Sequence, residues 1–355
     1  MSLQQAIVHD QLLQSAPAQV SDAEAAEVIQ RHFALSGRLE RLGGERDLNF
    51  RVLCEDGSSR LLKLSHPLED PEVVDFHNGA MRRLEERDPE LPVQRVYPTR
   101  DGHFMAEADI AGQRLIARLL SFVDGLPLHR VAVRSPALRR NLGEALARFD
   151  RALEGFDHPA ADHELLWDMQ HAQRLRPLLV YIEQGLRRDL VERCLDTYVR
   201  DVLPRLPGLR RQVIHNDLNP HNLIVDAAHP EQLRNILDFG DMVRAPRVND
   251  LAVAASYQLD TSGDVLAPAL EFIAAYHTCN PLEAAEVELL PELIATRLAL
   301  TLCINSWRAV IHPENRDYIL RNTERAWSSL ERLVQVSHLE VHRRTRHACI
   351  QEIRP

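Results

Sequence analysis

Two runs in this 355-residue chain gather the residue types that phosphate chemistry needs: Val213-Ile214-His215-Asn216-Asp217-Leu218-Asn219-Pro220-His221-Asn222-Leu223-Ile224-Val225, then Ile236-Leu237-Asp238-Phe239-Gly240-Asp241. The apolar stretches 223–225 and 235–237 are short and close in sequence, which leaves room only for a hairpin. Such a hairpin brings Asn222, at the start of one strand, close to Asp238, at the end of the other. An amide oxygen beside a carboxylate suits Mg²⁺, a hard cation that takes one or two protein ligands and completes its shell with nucleotide phosphates and water. Asp217 lies on the same loop, five residues before Asn222. It is near enough to face the metal without being one of its necessary ligands.

A further residue joins them by composition. The 42 basic residues are 41 arginines and a single lysine, Lys63. Where arginine serves almost everywhere, one retained lysine marks a position that needs a compact ammonium on a flexible stem rather than a planar guanidinium. A metal pair, a free carboxylate and a distant lysine make up the H-x-D-x-x-x-x-N and D-F-G constellation of phosphoryl transfer. In that chemistry the metal neutralises phosphate charge, the lysine steadies the α/β-phosphates, and the free aspartate orients or deprotonates the acceptor hydroxyl.

These residues require a scaffold, and the pattern supplies one. Residues 22–42 read as a helix, with Ser21 as N-cap and Glu24 completing a capping box. A turn-rich stretch, 43–50, runs into a strand at 51–54. Asp56-Gly57 then forms a hairpin turn, and 60–65 returns as the strand that carries Lys63. Alternation sets Leu62 and Leu64 on one face and Leu61, Lys63 and Ser65 on the other. A helix follows at 72–87, with Val73, Phe76, Ala80, Met81 and Leu84 at helical spacing. Two or three strands fit between Val93 and Val123. From Ser135 to about residue 338 the pattern is mainly helical, interrupted near 204–250. The expected organisation is therefore an N-lobe at 1–120, a helical C-lobe at 121–340 and a terminal tail at 341–355.

On these motifs the chain resembles the aminoglycoside phosphotransferase (APH) family of small-molecule kinases, and within it the hydroxylysine kinase-like branch. The resemblance runs over roughly residues 22–335 and is strongest at 215–225 and 236–257. It implies an α+β, bilobal, protein-kinase-like fold with the nucleotide cleft between a sheet-rich N-lobe and a larger helical C-lobe. It further implies that Asp217 is the catalytic carboxylate, that Asn222 and Asp238 are magnesium ligands, and that Lys63 holds the nucleotide phosphates. The loop 44–49, with Gly44, Asp47 and Asn49, would cover the phosphates through backbone N–H groups. The link 120–123, with Leu120, Phe122 and Val123, would meet the purine edge through its main chain. Asp250 would brace the catalytic loop, and His215 would pack and orient it. The co-substrate is ATP or GTP with Mg²⁺. The acceptor is the hydroxyl of a small amino alcohol or hydroxylated amino acid, hydroxylysine-like. Aminoglycoside, choline, ethanolamine and homoserine kinases, and a non-catalytic nucleotide-binding module, stand as alternatives.

The chain departs from the family pattern at four places. Asn216 stands where glycine is usual, a residue that tolerates left-handed backbone. The N-terminal loop has Gly43-Gly44 in place of a full G-x-G-x-x-G. The helix glutamate expected to pair Lys63 is replaced by Phe76-His77-Asn78, leaving Glu72, Asp75 and Glu85 as candidates. No A-P-E follows the D-F-G, and 242–249 is too short for an activation segment, which weighs against a protein kinase. Trp167, Trp307 and Trp327 sit at helical positions expected in core or pocket lining. Arg297, Asn305, Trp307 and Arg308 fall on late helices where the family builds its acceptor pocket, and Arg308 is a candidate for a bidentate hold on a carboxylate.

Composition bounds the rest. Net charge is −10, against the basic surplus of a nucleic-acid binder. No apolar run approaches a bilayer span, and the first residues lack a signal-peptide core. Five scattered cysteines without a CxxC pair indicate neither a disulfide framework nor a zinc site. A cytoplasmic protein without membrane or nucleic-acid partners is expected.

Overall fold

The computed structural model describes residues 18–44 and 47–350. Helix α1 (Asp22–Phe33) starts at the expected capping box: the Ser21 hydroxyl accepts from the Glu24 N–H, and the Glu24 carboxylate accepts from the Ser21 N–H at 2.8 Å. It ends nine residues short of the expected boundary. Ala34 turns into left-handed backbone, φ 52°, and the chain then enters strand β1 (Gly37–Leu42). The decisive residue is Gly37, where a Cβ would lie 2.4 Å from the Leu53 carbonyl oxygen. Only glycine lets β1 close on β2 (Leu48–Cys54), its antiparallel neighbour. After the turn at Gly57, φ 80°, strand β3 (Ser59–Leu64) returns.

Helix α2 (Pro71–Arg87) opens on Asp70, whose carboxylate accepts from the Glu72 N–H. Strands β4 (Val96–Tyr97), β5 (Ala106–Ile110) and β6 (Gln113–Ser121) complete a sheet in which β6 is flanked by β3 on one side and by β4 and β5 on the other. Period-2 alternation divides the labour of β3. Leu62 and Leu64 are buried with Phe50, Val52, Leu115 and Ala117 under Val28 and Ile29 of α1. Leu61 and Lys63 take the opposite face, toward the second lobe. The register sets Lys63 opposite Asn49 on one neighbour and Arg118 on the other.

The second lobe begins with the short strand β7 (Leu126–Pro127) and helices α3 (Pro136–Ala152) and α4 (Leu186–Thr197). Strand β8 (Arg211–Ile214) leads into the loop 215–222, then β9 (Leu223–Val225) and β10 (Leu233–Ile236) form the expected hairpin. Strand β11 (Val243–Pro246) returns to pair with β8, in place of any long activation segment. Helices α5 (Val248–Ser256), α6 (Ala267–Cys279), α7 (Ala284–Ile311), α8 (Arg316–Leu320), α9 (Thr323–Leu333) and α10 (His338–Ile350) finish the fold. Trp307 and Trp327 are core residues.

Two features differ from the expected organisation. The segment read as a tail is helix α10, which buries Val341, Thr345 and Cys349 and pairs Arg344 with Asp264 at 2.7 Å; residues 351–355 lie outside the described residues. The lobes are also tied by backbone. Ile236 N donates to Pro92 O at 2.8 Å, and Gln94 N donates to Ile236 O at 3.1 Å. Among the described residues, no helix is long and apolar enough to cross a membrane.

Candidate active site

The loop 215–222 is held from behind. The buried Asp250 carboxylate accepts from the His215 N–H at 2.7 Å and from the Asn216 N–H at 2.8 Å. His215, fully buried, places Nε2 3.0 Å from the Leu237 carbonyl and packs against Phe149 and Phe239. These are packing contacts within the loop's support, on the side away from the cleft cavity's lining. Asn216 takes φ 63°, the left-handed conformation that asparagine tolerates better than other non-glycine residues. Behind Asp250 lies Asp150, which accepts from the Tyr276 hydroxyl at 2.5 Å. Burial, and then the charge of Asp250, raises the Asp150 carboxyl well above its usual range. Burial also lifts Asp250, against the opposing pull of His215 and its amide donors.

This support presents Asp217 at the head of the loop. Its Oδ1 accepts from Arg297 Nη2 at 3.0 Å, and its Oδ2 accepts from Asn219 Nδ2 at 2.8 Å and Asn222 Nδ2 at 2.9 Å. Burial, then the nearby Asp241, lifts its carboxyl to about 7 against the pull of Arg297. Asn222 donates from the same Nδ2 to the Asp217 carbonyl, so its amide oxygen faces away from that loop. Leu237 N donates to Asn222 O at 2.8 Å, continuing the β9–β10 pairing so that Asn222 lies next to Asp238. Asp238 has φ 60° and leaves about half of its side chain exposed.

Lys63 reaches across the cleft to 3.6 Å from Asp238 Oδ1. Its nearer partner is Asp47, with Nζ 3.0 Å from Oδ2. Glu72, Asp75 and Glu85 do not supply the missing partner; Asp75 lies instead 3.3 Å from His158. Asp47, placed by sequence among the phosphate-covering loop residues, thus takes the role expected of a helix acid. Its other oxygen accepts from the His66 N–H at 3.1 Å, which fixes it to the end of β3. On α2 the corresponding turn offers Asn78, whose Oδ1 accepts from the buried Arg118 at 3.5 Å. Burial pulls the Lys63 ammonium down, but Asp47 and Asp238 outweigh it and its net shift is upward.

A cavity of about 350 Å³ joins these groups, lined among others by Gly43, Asn49, Lys63, Phe122, Val123, Asn222 and Asp238. Leu120 is not at its wall. Its side chain is buried in the core and it pairs with both Leu61 and Val96, so of 120–123 only Ser121, Phe122 and Val123 line the cavity. Gly44 sits behind Gly43: a Cβ there would lie 2.4 Å from Asp47 O and 2.5 Å from Asn49 Nδ2. The expected phosphate-covering loop lies partly outside the described residues, at Glu45 and Arg46.

On the far side of Asp217 is a second, smaller cavity of about 80 Å³. Asp217, Arg297, Asp241, Arg308, Arg321 and Trp167 are among the residues that line it. The Arg297 guanidinium lies over the Trp167 ring at 5.2 Å. Sequence placed Arg297, Asn305, Trp307 and Arg308 in this region and left Trp167 between core and lining; Trp307 is instead a core residue and does not line the cavity. Sequence missed Asn219, Asp241, Tyr257, Arg321 and Asn322. Asp241 alone carried a sequence signal, as the residue that follows the D-F-G.

Two lobes, a lysine-bearing sheet and an oxygen-donor hairpin facing it across a cleft define a kinase of small molecules. A search of family profiles matches residues 38–290 to the APH phosphotransferase enzyme family, and the chain belongs to that family. Among curated proteins it is similar to hydroxylysine kinase of Mus musculus, 24% identical over 345 residues that cover 90% of this chain and 91% of that protein. It is also similar to hydroxylysine kinase of Danio rerio, 26% identical over 338 residues that cover 92% and 94%. Among solved structures, a microcompartment-associated aminopropanol kinase superposes with a TM-score of 0.70 at 20% identity, covering 90% of this chain and 98% of that one. An amicoumacin kinase in complex with AMP-PNP and Ca²⁺ gives a TM-score of 0.63 at 16% identity, covering 86% and 94%. The bilobal kinase-like fold read from sequence is the fold of these proteins.

Proposed function

We propose that this kinase transfers the γ-phosphate of MgATP or MgGTP to the hydroxyl of a hydroxylysine-like amino acid. One observation carries the reading: Asp217 lines the smaller cavity beside Arg297, and its carboxylate accepts both from Arg297 and from Asn222, which lines the cleft cavity.

The donor set suits magnesium. Asn222 and Asp238 offer hard oxygen ligands, the Asn222 amide is oriented by its own hydrogen bonds, and Asp238 is open to the cleft. These two residues would hold the ion, which when bound neutralises charge on the nucleotide phosphates. Lys63, fixed by Asp47, would hold the α/β-phosphates. Asp217 would accept the hydrogen bond of the incoming hydroxyl and take its proton as the new O–P bond forms, the bond from the γ-phosphorus to the β,γ-bridging oxygen breaks and the nucleoside diphosphate leaves. Arg297 holds the Asp217 carboxylate in place and compensates its charge within a buried site.

The second cavity favours a small acceptor over an aminoglycoside: about 80 Å³ is well below the hundreds of cubic ångströms usual for drug-sized ligands. Its charges also suit an amino acid. Arg308 and Arg321 are guanidinium groups for a carboxylate, and Asp241 is a carboxylate for an ammonium. The two curated hydroxylysine kinases, similar over nearly their whole length, support the same acceptor.

The test is transfer from labelled ATP and GTP to hydroxylysine, ethanolamine, choline, homoserine and kanamycin, with and without Mg²⁺. Product on hydroxylysine, dependent on Mg²⁺ and reduced at least 100-fold in Asp217→Ala while nucleotide still binds, is the expected result. Product on another acceptor with none on hydroxylysine refutes the substrate. Transfer by Asp217→Ala within about tenfold of the parent, about 1.4 kcal/mol of barrier, refutes the role of the carboxylate.

A further inference from the structure

The strongest group of metal-ligating side chains outside the cleft lies where helix α10 crosses α7. His338 and His342 stand four residues apart on α10, so both imidazoles project from one helix face on successive turns. Opposite them, α7 presents Glu292. His338 Nε2 lies 2.9 Å, and His342 Nε2 2.7 Å, from the same oxygen, Glu292 Oε1. One candidate ligand atom from each residue lies within 4.8 Å of the others. The second oxygen, Glu292 Oε2, is buried and has no hydrogen-bond partner among the described residues.

We propose that Glu292, His338 and His342 form a binding site for a zinc-class divalent cation. Two imidazole nitrogens and a carboxylate oxygen are the borderline ligands that Zn²⁺ prefers over Mg²⁺ or Ca²⁺, and three protein ligands leave a fourth tetrahedral position for water or a small ligand. There is room for one, because all three side chains line a cavity of about 440 Å³. The geometry explains the orphaned oxygen. With only hydrogen bonds, both histidines crowd one oxygen of Glu292 and leave the other without a partner in a buried position, an arrangement that costs stability. A cation within reach of both imidazoles gives the carboxylate a partner for its whole charge. The ion would pin the terminal helix to α7, the helix that also carries Arg297 and Arg308 toward the acceptor side. This is a structural clamp, separate from the Asn222–Asp238 pair.

The experiment uses the full chain without a histidine tag, stripped of metal, titrated with Co²⁺ and with Zn²⁺. The expected result is one Co²⁺ per chain with the intense visible bands of a tetrahedral N/O site, displaced by Zn²⁺, and a melting temperature that rises with Zn²⁺. Asp238→Asn, which alters the cleft, should keep that spectrum. His338→Ala, at a residue whose side chain is 79% exposed and which can therefore be truncated without threatening the fold, should weaken Zn²⁺ binding at least tenfold and abolish the thermal shift. Glu292→Gln should do the same. Absence of stoichiometric binding by the parent chain overturns the proposal. So does parent-like affinity in His338→Ala, or loss of the ion in Asp238→Asn alone, which would place it in the cleft.

Discussion

The brace behind the catalytic loop gives a prediction whose size follows from two distances. Asp250 accepts two buried backbone N–H groups, from His215 at 2.7 Å and from Asn216 at 2.8 Å. Asp250→Asn keeps one acceptor oxygen and turns an NH₂ group toward the other amide. A hydrogen bond to a charged group contributes about 1.5–3 kcal/mol, and a buried donor left unsatisfied costs about 1–3 kcal/mol. The substitution should therefore destabilise this corner by about 2–4 kcal/mol, within the ~5–15 kcal/mol that holds a typical domain folded. The local effect is larger than the global one, because Asn216 sits in left-handed backbone at φ 63° and relaxes once its amide is released. Asp217 is the next residue, and a displacement of about 1 Å at a reacting group can cost ~100-fold in rate. Asp250 bonds the loop at His215 and Asn216, whereas Lys63 is held by Asp47 and Asp238. The expected outcome is kcat lowered about 100-fold, with nucleotide affinity by calorimetry changed less than threefold. Unchanged kcat would show that the brace does not position the loop. A parallel loss of kcat and nucleotide affinity would show general destabilisation instead.

Three further outcomes are expected. Asp150 has a folded-state pKa raised by burial and by Asp250, so its contribution to stability is present below its unfolded pKa of about 4 and is lost as pH rises toward the folded value. Asp150→Asn removes that titration while keeping an acceptor for Tyr276. Its stability relative to the parent, from urea unfolding at pH 5 and pH 8, should improve with pH by up to ~1.4 kcal/mol per unit; a pH-independent difference contradicts this. Lys63→Arg keeps the charge but cannot fit a point cation between Asp47 and Asp238, so kcat/KM for nucleotide should fall at least tenfold; full activity would make the single lysine a coincidence. Arg308→Met should raise KM for an amino-acid acceptor about tenfold or more and leave nucleotide KM unchanged, whereas equal effects on both would remove Arg308 from the acceptor site.

The parts legible in the sequence were those fixed by local chemistry. The capping box at Ser21, the Asp56-Gly57 turn and the hairpin that brings Asn222 beside Asp238 each follow from a few adjacent residues. The fold class follows from the family resemblance that the motifs carry. What stayed hidden depends on contacts distant in sequence. Strand β1 was read as helix because Gly37 matters only through its approach to Leu53, across the sheet. The partner of Lys63 was sought on a helix, whereas Asp47 reaches it because the β2–β3 register sets Lys63 opposite Asn49, two residues further along. Arg297 bonds to Asp217 from 80 positions away, a distance at which single-sequence spacing carries no signal. Helix α10 was taken for a tail because its Arg- and His-rich surface masks a sparse buried stripe at Val341, Thr345 and Cys349.

The backbone tie between the lobes bears on how the cleft can open. Because Pro92 and Gln94 are hydrogen-bonded to Ile236, two residues before Asp238, the Asp238 end of the cleft is stitched to the first lobe by main chain. The glycine-bearing loop after β1 has no such stitch among the described residues. Any opening is then asymmetric, like a book whose spine runs beside Asp238 and whose free edge lies away from it. A nucleotide would enter and leave at that edge, while the spacing of Asn222, Asp238 and Asp217 stays set from one turnover to the next.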